Sequence, residues 1–186
     1  MSLFGVLYWI WVVSEVAILL LTRTRAKAGR VEDRGSLLLL WVVIVGSLVV
    51  SGWIAATHRP TIPGGALQVK ALSSALLTSG LAVRWAAIAS LGRSFSANVA
   101  IRPEQALHQT GFFRFVRHPS YSGLLLIFAA IGVHTRIWAA LLVMLVPMAA
   151  ALLYRIHVEE ATLRGAFGEA YERYSKRSKR LIPGVY

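Results

Sequence analysis

A polar segment that runs directly into an apolar stretch holds the residues best suited to chemistry. It comprises Arg117, His118, Pro119, Ser120, Tyr121, Ser122 and Gly123. Proline is favoured in the first turn of a helix, so a helix is expected to begin near Pro119. Free backbone N–H groups at a helix N-terminus attract anionic groups, and His118 and Tyr121 add side-chain donors. The segment indicates either a carboxylate-binding site or an ordinary capped helix start at an interface.

A second polar cluster follows the last long apolar run, where Arg155 precedes Glu159 and Glu160. Arg155 and Glu159 are four residues apart and share one face of a helix. They can hold the two charged ends of an amino-acid-like ligand, or they can form a surface ion pair. Arg84 lies inside an earlier apolar run, where it either lines a polar cavity or extends to the lipid head groups. Glu15 is its candidate partner.

The composition excludes several kinds of site. The chain has no cysteine, so it has neither a disulfide nor a thiolate nucleophile. No HExxH-type spacing is present, so no metal site is expected. Because G-x-G-x-x-G and G-x-x-x-x-G-K-[ST] are also absent, a nucleotide-like cofactor would have to bind without a Rossmann fold. The formal net charge is +12, but the basic residues fall between apolar runs, which favours anionic lipid over nucleic acid as the partner.

The hydrophobic content is typical of a membrane protein. Hydrophobic residues make up 56% of the chain and charged residues only 15%. About 20 apolar residues cross a bilayer as a helix. Apolar runs of suitable length and composition occupy 3–21, 37–56, 67–91, 121–135 and 137–154. The sequence predicts an all-α polytopic membrane protein with five transmembrane helices, the last two forming a tight hairpin, and an amphipathic cytoplasmic helix over 156–178.

The distribution of basic residues predicts the orientation. With five spans, the segments 22–36, 92–118 and 155–186 lie on one side and hold sixteen lysines and arginines. The segments 57–66 and 134–136 lie on the other side and hold two. Cytoplasmic loops carry the excess of positive charge, so the N-terminus is expected outside, and the C-terminus and the polar clusters in the cytoplasm.

The whole chain is expected to form a single membrane domain. Its N-terminal two-helix part is 1–66, and its catalytic core is 67–186. The core contains a cofactor loop at 92–118 and the C-terminal helix at 156–178.

Motifs spread over residues 80–182 resemble the isoprenylcysteine carboxyl methyltransferase family, in order and at the family's spacing. They are Val83-Arg84-Trp85-Ala86-Ala87, Leu91-Gly92-Arg93-Ser94-Phe95, Leu107 with Gly111-Phe112-Phe113 and Arg117-His118-Pro119, Tyr121 and Gly123, and finally Arg155, Glu159-Glu160, Leu163, Phe167-Gly168, Tyr171 and Tyr174. The first two spans carry no such motif. The chain resembles a short prokaryotic-type member, with fewer spans than eukaryotic members.

The resemblance implies an integral-membrane methyltransferase that uses S-adenosylmethionine and releases S-adenosylhomocysteine. Its cofactor contacts carry over to Gln105, Ala106, Leu107, His108, Phe113, Arg117, His118, Pro119, Ser120, Tyr121 and Glu159. Arg84 and Arg155 match arginines with substrate-side or catalytic roles. Glu160 is a candidate catalytic residue because an amine or phenol acceptor would need a base, for which His157 is the other candidate.

The methyl acceptor stays open at this point. Phe113 replaces the tyrosine usual in the family, and the chain is short. The acceptor is therefore expected to be lipophilic and to enter from the bilayer, either as a prenylcysteine-like carboxylate or as another lipid oxygen, nitrogen or sulfur nucleophile. No obligatory protein partner is inferred. The alternatives are a membrane NADPH-dependent sterol-type reductase and a non-enzymatic scaffold or transporter.

Overall fold

The computed structural model describes residues 2–22, 30–101 and 106–186. Within them the chain forms α1 (Leu3–Thr22), α2 (Ser36–Thr57), α3 (Ala66–Leu91), α4 (Pro119–His134), α5 (Trp138–Phe167) and α6 (Glu169–Arg177). Single 3-10 turns occupy Gly92–Ser94 and Gly111–Arg114. The antiparallel pair of two-residue strands, β1 (Arg30–Val31) and β2 (Ala100–Ile101), joins the segment before α2 to the segment after α3.

Four of these helices are long and apolar enough to cross a membrane. They are α1, α2, α3 and α5. The fifth apolar helix, α4, has 16 residues, which is shorter than the roughly 20 residues that a span usually takes. Large apolar side chains such as Val13, Leu20, Val42 and Val49 are exposed on α1 and α2, as expected for helices that face lipid. The prediction of a helical integral membrane protein is confirmed, and the count of five spans stays a prediction.

The boundaries predicted for the C-terminal helix, 156–178, are wrong. Helix α5 continues without a break from Trp138 to Phe167. It ends at Gly168, whose φ of 49° lies in the region that favours glycine. The short helix α6 then buries Tyr171 and Tyr174 and exposes its charged side chains. The apolar run ends near Tyr154, but no proline lies between there and Gly168 and the single glycine, Gly165, stays within the helix, so the backbone is helical beyond the apolar run.

The core lies where neighbouring helices pack along their lengths. Helix α3 packs on α4, α4 on α5, and α5 on α2, while α1 packs on α3. Side chains at the centre of this arrangement are almost completely buried, including Trp11, Leu77, Leu124, Phe128, Met144, Met148 and Leu152. The three residues 135–137 connect α4 to α5 as the predicted tight hairpin.

Two glycines allow the closest helix crossing among the described residues. Gly80 of α3 and Gly123 of α4 face each other so closely that a Cβ added at 123 would lie 2.7 Å from the Gly80 carbonyl oxygen. The same Cβ would lie 2.8 Å from the backbone nitrogen of Arg84. Small residues at such crossings let helix backbones approach each other in membranes. This crossing brings Arg84 against the first turns of α4.

We expect Gly123→Ala to destabilise the protein by about 1–3 kcal/mol, because the added methyl group meets backbone atoms that cannot move aside. Thermal unfolding in detergent measures the effect. The matched control is Gly46→Ala on α2, where an added Cβ meets nothing within 4 Å. Equal stability of Gly123→Ala and the control would show that the helices do not cross this closely.

Candidate active site

A large cavity opens beside the N-terminus of α4. It has a volume of about 950 Å³, which includes its open mouth. Its walls are the segments 94–101 and 106–121, the C-terminal half of α5 and the two tyrosines of α6. Apolar side chains form much of the surface, among them Leu91, Val99, Leu107, Phe113, Leu163 and Phe167. The size and the mixture of apolar walls with a few charged groups are typical of small-molecule sites.

The structure brings nearly all of the predicted cofactor contacts to this cavity. Those that line it are Ala106, Leu107, His108, Phe113, Arg117, His118, Pro119, Ser120, Tyr121 and Glu159. Gln105 lies outside the described residues. Arg155 also lines the cavity, whereas Arg84 and Glu160 do not.

The C-terminal tail holds the segment that leads into α4. The backbone N–H of Arg117 donates to the Lys179 carbonyl, and that of His118 donates to the Arg180 carbonyl. The Ser122 hydroxyl donates to the carbonyl of Leu181. The start of α4 is therefore held in place by hydrogen bonds to the C-terminal tail, which lies about sixty positions further along the chain.

His118 lies between two carboxylates at this helix start. Its Nδ1 is 3.5 Å from Oε2 of Glu159, and its Nε2 is 3.6 Å from Oε1 of Glu160. Burial lowers the pKa of His118, but the charges of the two glutamates outweigh it, and the pKa is raised above its ordinary value. The imidazole therefore favours its protonated form, which carries a positive charge into the cavity wall.

Glu160 binds the tail instead of facing the cavity. Its buried carboxylate accepts hydrogen bonds from Arg117 at 2.9 Å, from Arg180 at 3.1 Å and from Arg164 at 3.3 Å. Arg117 in turn donates to the carbonyl oxygens of Ser175 and Ser178. These contacts tie α5, α6 and the tail together. The other candidate base, His157, is exposed and lies outside the lining of the cavity.

Glu159 begins a chain of hydrogen bonds that crosses the protein. The Tyr121 hydroxyl donates to Glu159 Oε2 at 2.8 Å and accepts from Nε of Arg155 at 2.8 Å. Arg155 also donates through Nη1 to Asp33 at 3.2 Å and to Ser36 at 3.0 Å. Its Nη2 donates to the Ala97 carbonyl at 2.5 Å. Since the side chain of Glu159 is 32% exposed and Oε1 has no donor among the described residues, one carboxylate oxygen is available to a ligand.

A second cavity adjoins the same hydrogen-bonded residues and has a volume of about 490 Å³, which includes its open mouth. It shares Phe95, Ser96, Ser120, Tyr121 and Arg155 with the first. Its remaining lining includes apolar residues of α1 and α2, namely Ile18, Leu19, Leu37, Leu40, Trp41 and Ile44. Arg84 lines this second cavity and forms a two-pronged ion pair with Glu15, at 2.5 Å and 2.6 Å.

Sequence reasoning missed several residues of the first cavity. The segment from Ser94 to Ile101 lies within the predicted cofactor loop 92–118, but it has no periodic pattern, and none of its residues was named as a cofactor contact. Thr162 was missed too. Leu163 and Phe167 follow Glu159 at four-residue intervals, so helical spacing alone puts them on the face that Glu159 occupies. Asp33 was missed because its partner, Arg155, lies far away in the sequence.

Comparison with known proteins identifies the family. The profile of the isoprenylcysteine carboxyl methyltransferase (ICMT) family matches residues 73–165, which is half of the chain. The chain belongs to the isoprenylcysteine carboxyl methyltransferase family. This segment contains most of α3, all of α4 and most of α5, and with them most of the lining of the first cavity. The family resemblance drawn from the motifs is therefore confirmed.

Two curated relatives carry the name of the reaction after which this family is called. The protein-S-isoprenylcysteine O-methyltransferase of Schizosaccharomyces pombe is 32% identical over 111 residues, which are 58% of this chain and 46% of the relative. A probable protein-S-isoprenylcysteine O-methyltransferase of Oryza sativa subsp. indica is 31% identical over 110 residues, 57% of this chain and 56% of the relative. The chain spans about half the length of these relatives.

A solved structure shares the fold. The eukaryotic intramembrane Ras methyltransferase ICMT superposes with a TM-score of 0.62 at 21% sequence identity. The superposition covers 77% of this chain and 52% of that one. The shared architecture therefore extends beyond the segment that the family profile matches.

The raised pKa of His118 predicts a pH-dependent stability. Its protonated form gains from the two glutamates only in the folded protein, so the gain is fully present below the ordinary pKa of 6.5 and is lost as pH rises through the raised value. We expect His118→Gln to be less stable than the parent at about pH 6, with the difference narrowing toward about pH 9. Thermal unfolding of both proteins across this range measures it, and a difference independent of pH would contradict the assignment.

Proposed function

We propose that this chain is an integral-membrane methyltransferase that transfers a methyl group from S-adenosylmethionine to a lipophilic acceptor at the cytoplasmic face. The observation that carries the proposal is the pair of cavities that meet at Ser120, Tyr121 and Arg155. One cavity is open and partly polar, and the other is lined by apolar residues of membrane helices. Such a pair suits a water-soluble donor and a lipid acceptor that must meet at one point.

The residues of the first cavity fit the donor. The free oxygen of Glu159 is a partner for the ammonium group, and the Ser120 backbone N–H at the start of α4, beside protonated His118, is a partner for the carboxylate. The apolar side chains of Leu107, Phe113 and their neighbours offer a surface for adenine. The hydroxyl of Tyr171 has no hydrogen-bond partner among the described residues, and Tyr171 lines the same cavity. It supplies a further polar contact for a ligand.

The second cavity fits a lipid acceptor. Its apolar residues come from α1, α2 and α4, and large apolar side chains on α1 and α2 are exposed on the outside of the bundle. A prenyl or acyl chain can therefore reach it from the bilayer, with the reacting head group placed at Tyr121 and Arg155. The exposed basic residues of α6, Lys176 and Arg177, suit anionic lipid head groups beside the site.

Methyl transfer from a sulfonium needs little chemistry from the protein. S-adenosylmethionine supplies an activated methyl group, so the protein has to align the acceptor in line with it and exclude water. A carboxylate acceptor needs no base, whereas a hydroxyl, thiol or amine gives up a proton. Glu160 is fully engaged with arginines, so we assign it to support of the cavity wall. Arg155 and Tyr121 remain as the residues that position the reacting groups.

Binding of S-adenosylhomocysteine tests the donor site. We expect saturable calorimetric binding to the purified parent, and binding weaker by about tenfold or more in Glu159→Gln and His118→Ala, because each loses a charged partner of the ligand. The matched control is Glu169→Gln on α6, whose carboxylate is exposed and pairs only with Arg173 on the surface. It should bind like the parent.

The same titration with NADPH separates the candidate functions. Binding of NADPH in place of S-adenosylhomocysteine would indicate a reductase. Absence of both, from protein shown to be folded, would contradict an enzymatic role of the cavity. Unchanged affinity in Glu159→Gln and His118→Ala would place the donor elsewhere.

The orientation has its own test. We propose five spans with the N-terminus outside, which places Arg59 outside and Lys176 in the cytoplasm. The chain has no cysteine, so Arg59→Cys and Lys176→Cys each introduce a single thiol at an exposed position. We expect an impermeant maleimide to label residue 59 from outside in intact cells, and residue 176 only after permeabilisation. The opposite pattern, or labelling of both from one side, would contradict the span count.

A further inference from the structure

The second cavity, which the proposed function takes as the acceptor cavity, is lined by two arginines. Each of them forms an ion pair with a carboxylate of the protein. Arg84 donates through Nε and Nη2 to Glu15, and through Nη1 to the Ser120 hydroxyl at 2.9 Å. Arg155 donates to Asp33, and its other two nitrogens donate to Tyr121 and Ala97. Every nitrogen of both guanidinium groups therefore has an acceptor within the protein.

The carboxylates that neutralise them come from the N-terminal part of the chain. Glu15 lies on α1 and Asp33 lies just before α2, both outside the segment that the family profile matches. Glu15 is itself buried and lines the cavity, and its Oε1 also accepts from Trp11 Nε1 at 3.1 Å. Burial raises the pKa of Asp33, but the backbone N–H groups of Leu37 and Val99 and the charge of Arg155 lower it further, so Asp33 stays ionised.

In this arrangement, carboxylates of the protein balance the positive charges of the arginines that line the acceptor cavity. Among the described residues that line it, Arg84 and Arg155 are the cations, and each has a carboxylate of its own. With no donor bound, an acceptor carboxylate would lose its hydration on entering, would meet no side-chain cation among these residues that lacks a carboxylate partner, and would approach the negative charge of Glu15. A head group without charge enters without these losses and can accept or donate at Ser120 and Tyr121.

We infer that the acceptor cavity selects a lipid whose head group carries no net charge, and that Glu15 sets this preference by neutralising Arg84. The inference rests on the proposed function, since it takes the second cavity as the acceptor site. It assigns Glu15 a role in specificity in addition to its part in the packing of α1.

Two probes with one tail test the inference by binding alone. They are N-acetyl-S-farnesylcysteine, whose head group is a carboxylate, and its carboxamide, which has nearly the same shape and no charge. Their affinities are measured with protein in nanodiscs. The parent is expected to bind the amide at least as tightly as the acid.

The variant Glu15→Gln leaves Arg84 without a counter-charge in a closely similar geometry. We expect its preference to shift toward the acid by about tenfold or more relative to the parent, because a buried cation then attracts the carboxylate. Dividing the ratio of affinities in the variant by that in the parent cancels the partition of each probe into lipid. The matched control is Trp11→Phe, which removes the hydrogen bond to Glu15 and keeps its charge. Its preference should equal that of the parent.

The outcomes separate this inference from the proposed function. A parent that binds the acid about tenfold more tightly than the amide would overturn the inference even if Glu15→Gln fails to fold. An unchanged preference in a folded Glu15→Gln would remove Glu15 as the cause. If neither probe binds while S-adenosylhomocysteine does, the second cavity is not the acceptor site and the donor site stands. Failure of S-adenosylhomocysteine to bind contradicts the proposed function itself.

Discussion

The buried guanidinium of Arg155 is the interaction on which the arrangement of the site depends. It lies on α5 and makes hydrogen bonds to α4, to the segment after α3 and to the residues that begin α2. A buried charge is costly by several kcal/mol unless a partner of opposite sign and further hydrogen bonds surround it. Arg155 is 3% exposed and has such surroundings in Asp33, Ser36, Ala97 and Tyr121. Once this group is satisfied, the positions of four separate segments are fixed relative to one another.

The N-terminal part is therefore tied to the site by charge as well as by packing. Two buried ion pairs, Glu15 with Arg84 and Asp33 with Arg155, connect it to the segment that carries the family motifs. Removing one member of such a pair leaves the other charge buried and uncompensated, which typically destabilises a protein by about 3–5 kcal/mol. The family motifs alone thus do not make a complete site. The N-terminal helices supply the counter-charges that allow the two arginines to be buried.

The sequence was sufficient to predict the features that follow from insertion into a membrane, namely the helices formed by the apolar runs. Each apolar run corresponds to a helix, and every end of these helices except the C-terminal end of α5 lies within about two residues of the prediction, because a bilayer leaves a long apolar segment no other stable form. The polar residues near these runs were also identified as candidate site residues, because charges within or beside a membrane are costly and are usually functional. Asp33 could not be predicted, and within the predicted cofactor loop 92–118 the residues 94–101 were not named as contacts, because their places follow from hydrogen bonds to residues distant in sequence. The end of α5 was misjudged because hydrophobicity marks the membrane, whereas the backbone stays helical until Gly168.

The two adjacent glutamates show how helix geometry divides neighbouring residues between roles. Successive side chains on a helix point about 100° apart, so neighbours such as Glu159 and Glu160 can face different surroundings. Glu159 lines the first cavity, the proposed donor site, and accepts a hydrogen bond from Tyr121. Glu160 accepts hydrogen bonds from Arg117 and Arg180 and so holds the C-terminal tail against the start of α4. The sequence predicted a cofactor contact for Glu159 and a catalytic role for Glu160, and the geometry supports a structural role for Glu160 instead.

This division shows how the wall between the two cavities is held in place. Tyr121 is held on one side by Glu159 and Arg155, and the backbone before it is held by the tail that Glu160 fastens. On the side of α3, the close approach of Gly80 and Gly123 lets α3 pack against α4. It brings Arg84 within hydrogen-bond distance of Ser120. Because in-line methyl transfer depends on reacting atoms being held about 3–3.5 Å apart, a meeting point built from helix backbone serves it better than one built from a loop. The buried charges of this chain are thus organised around the place where a donor and an acceptor would meet.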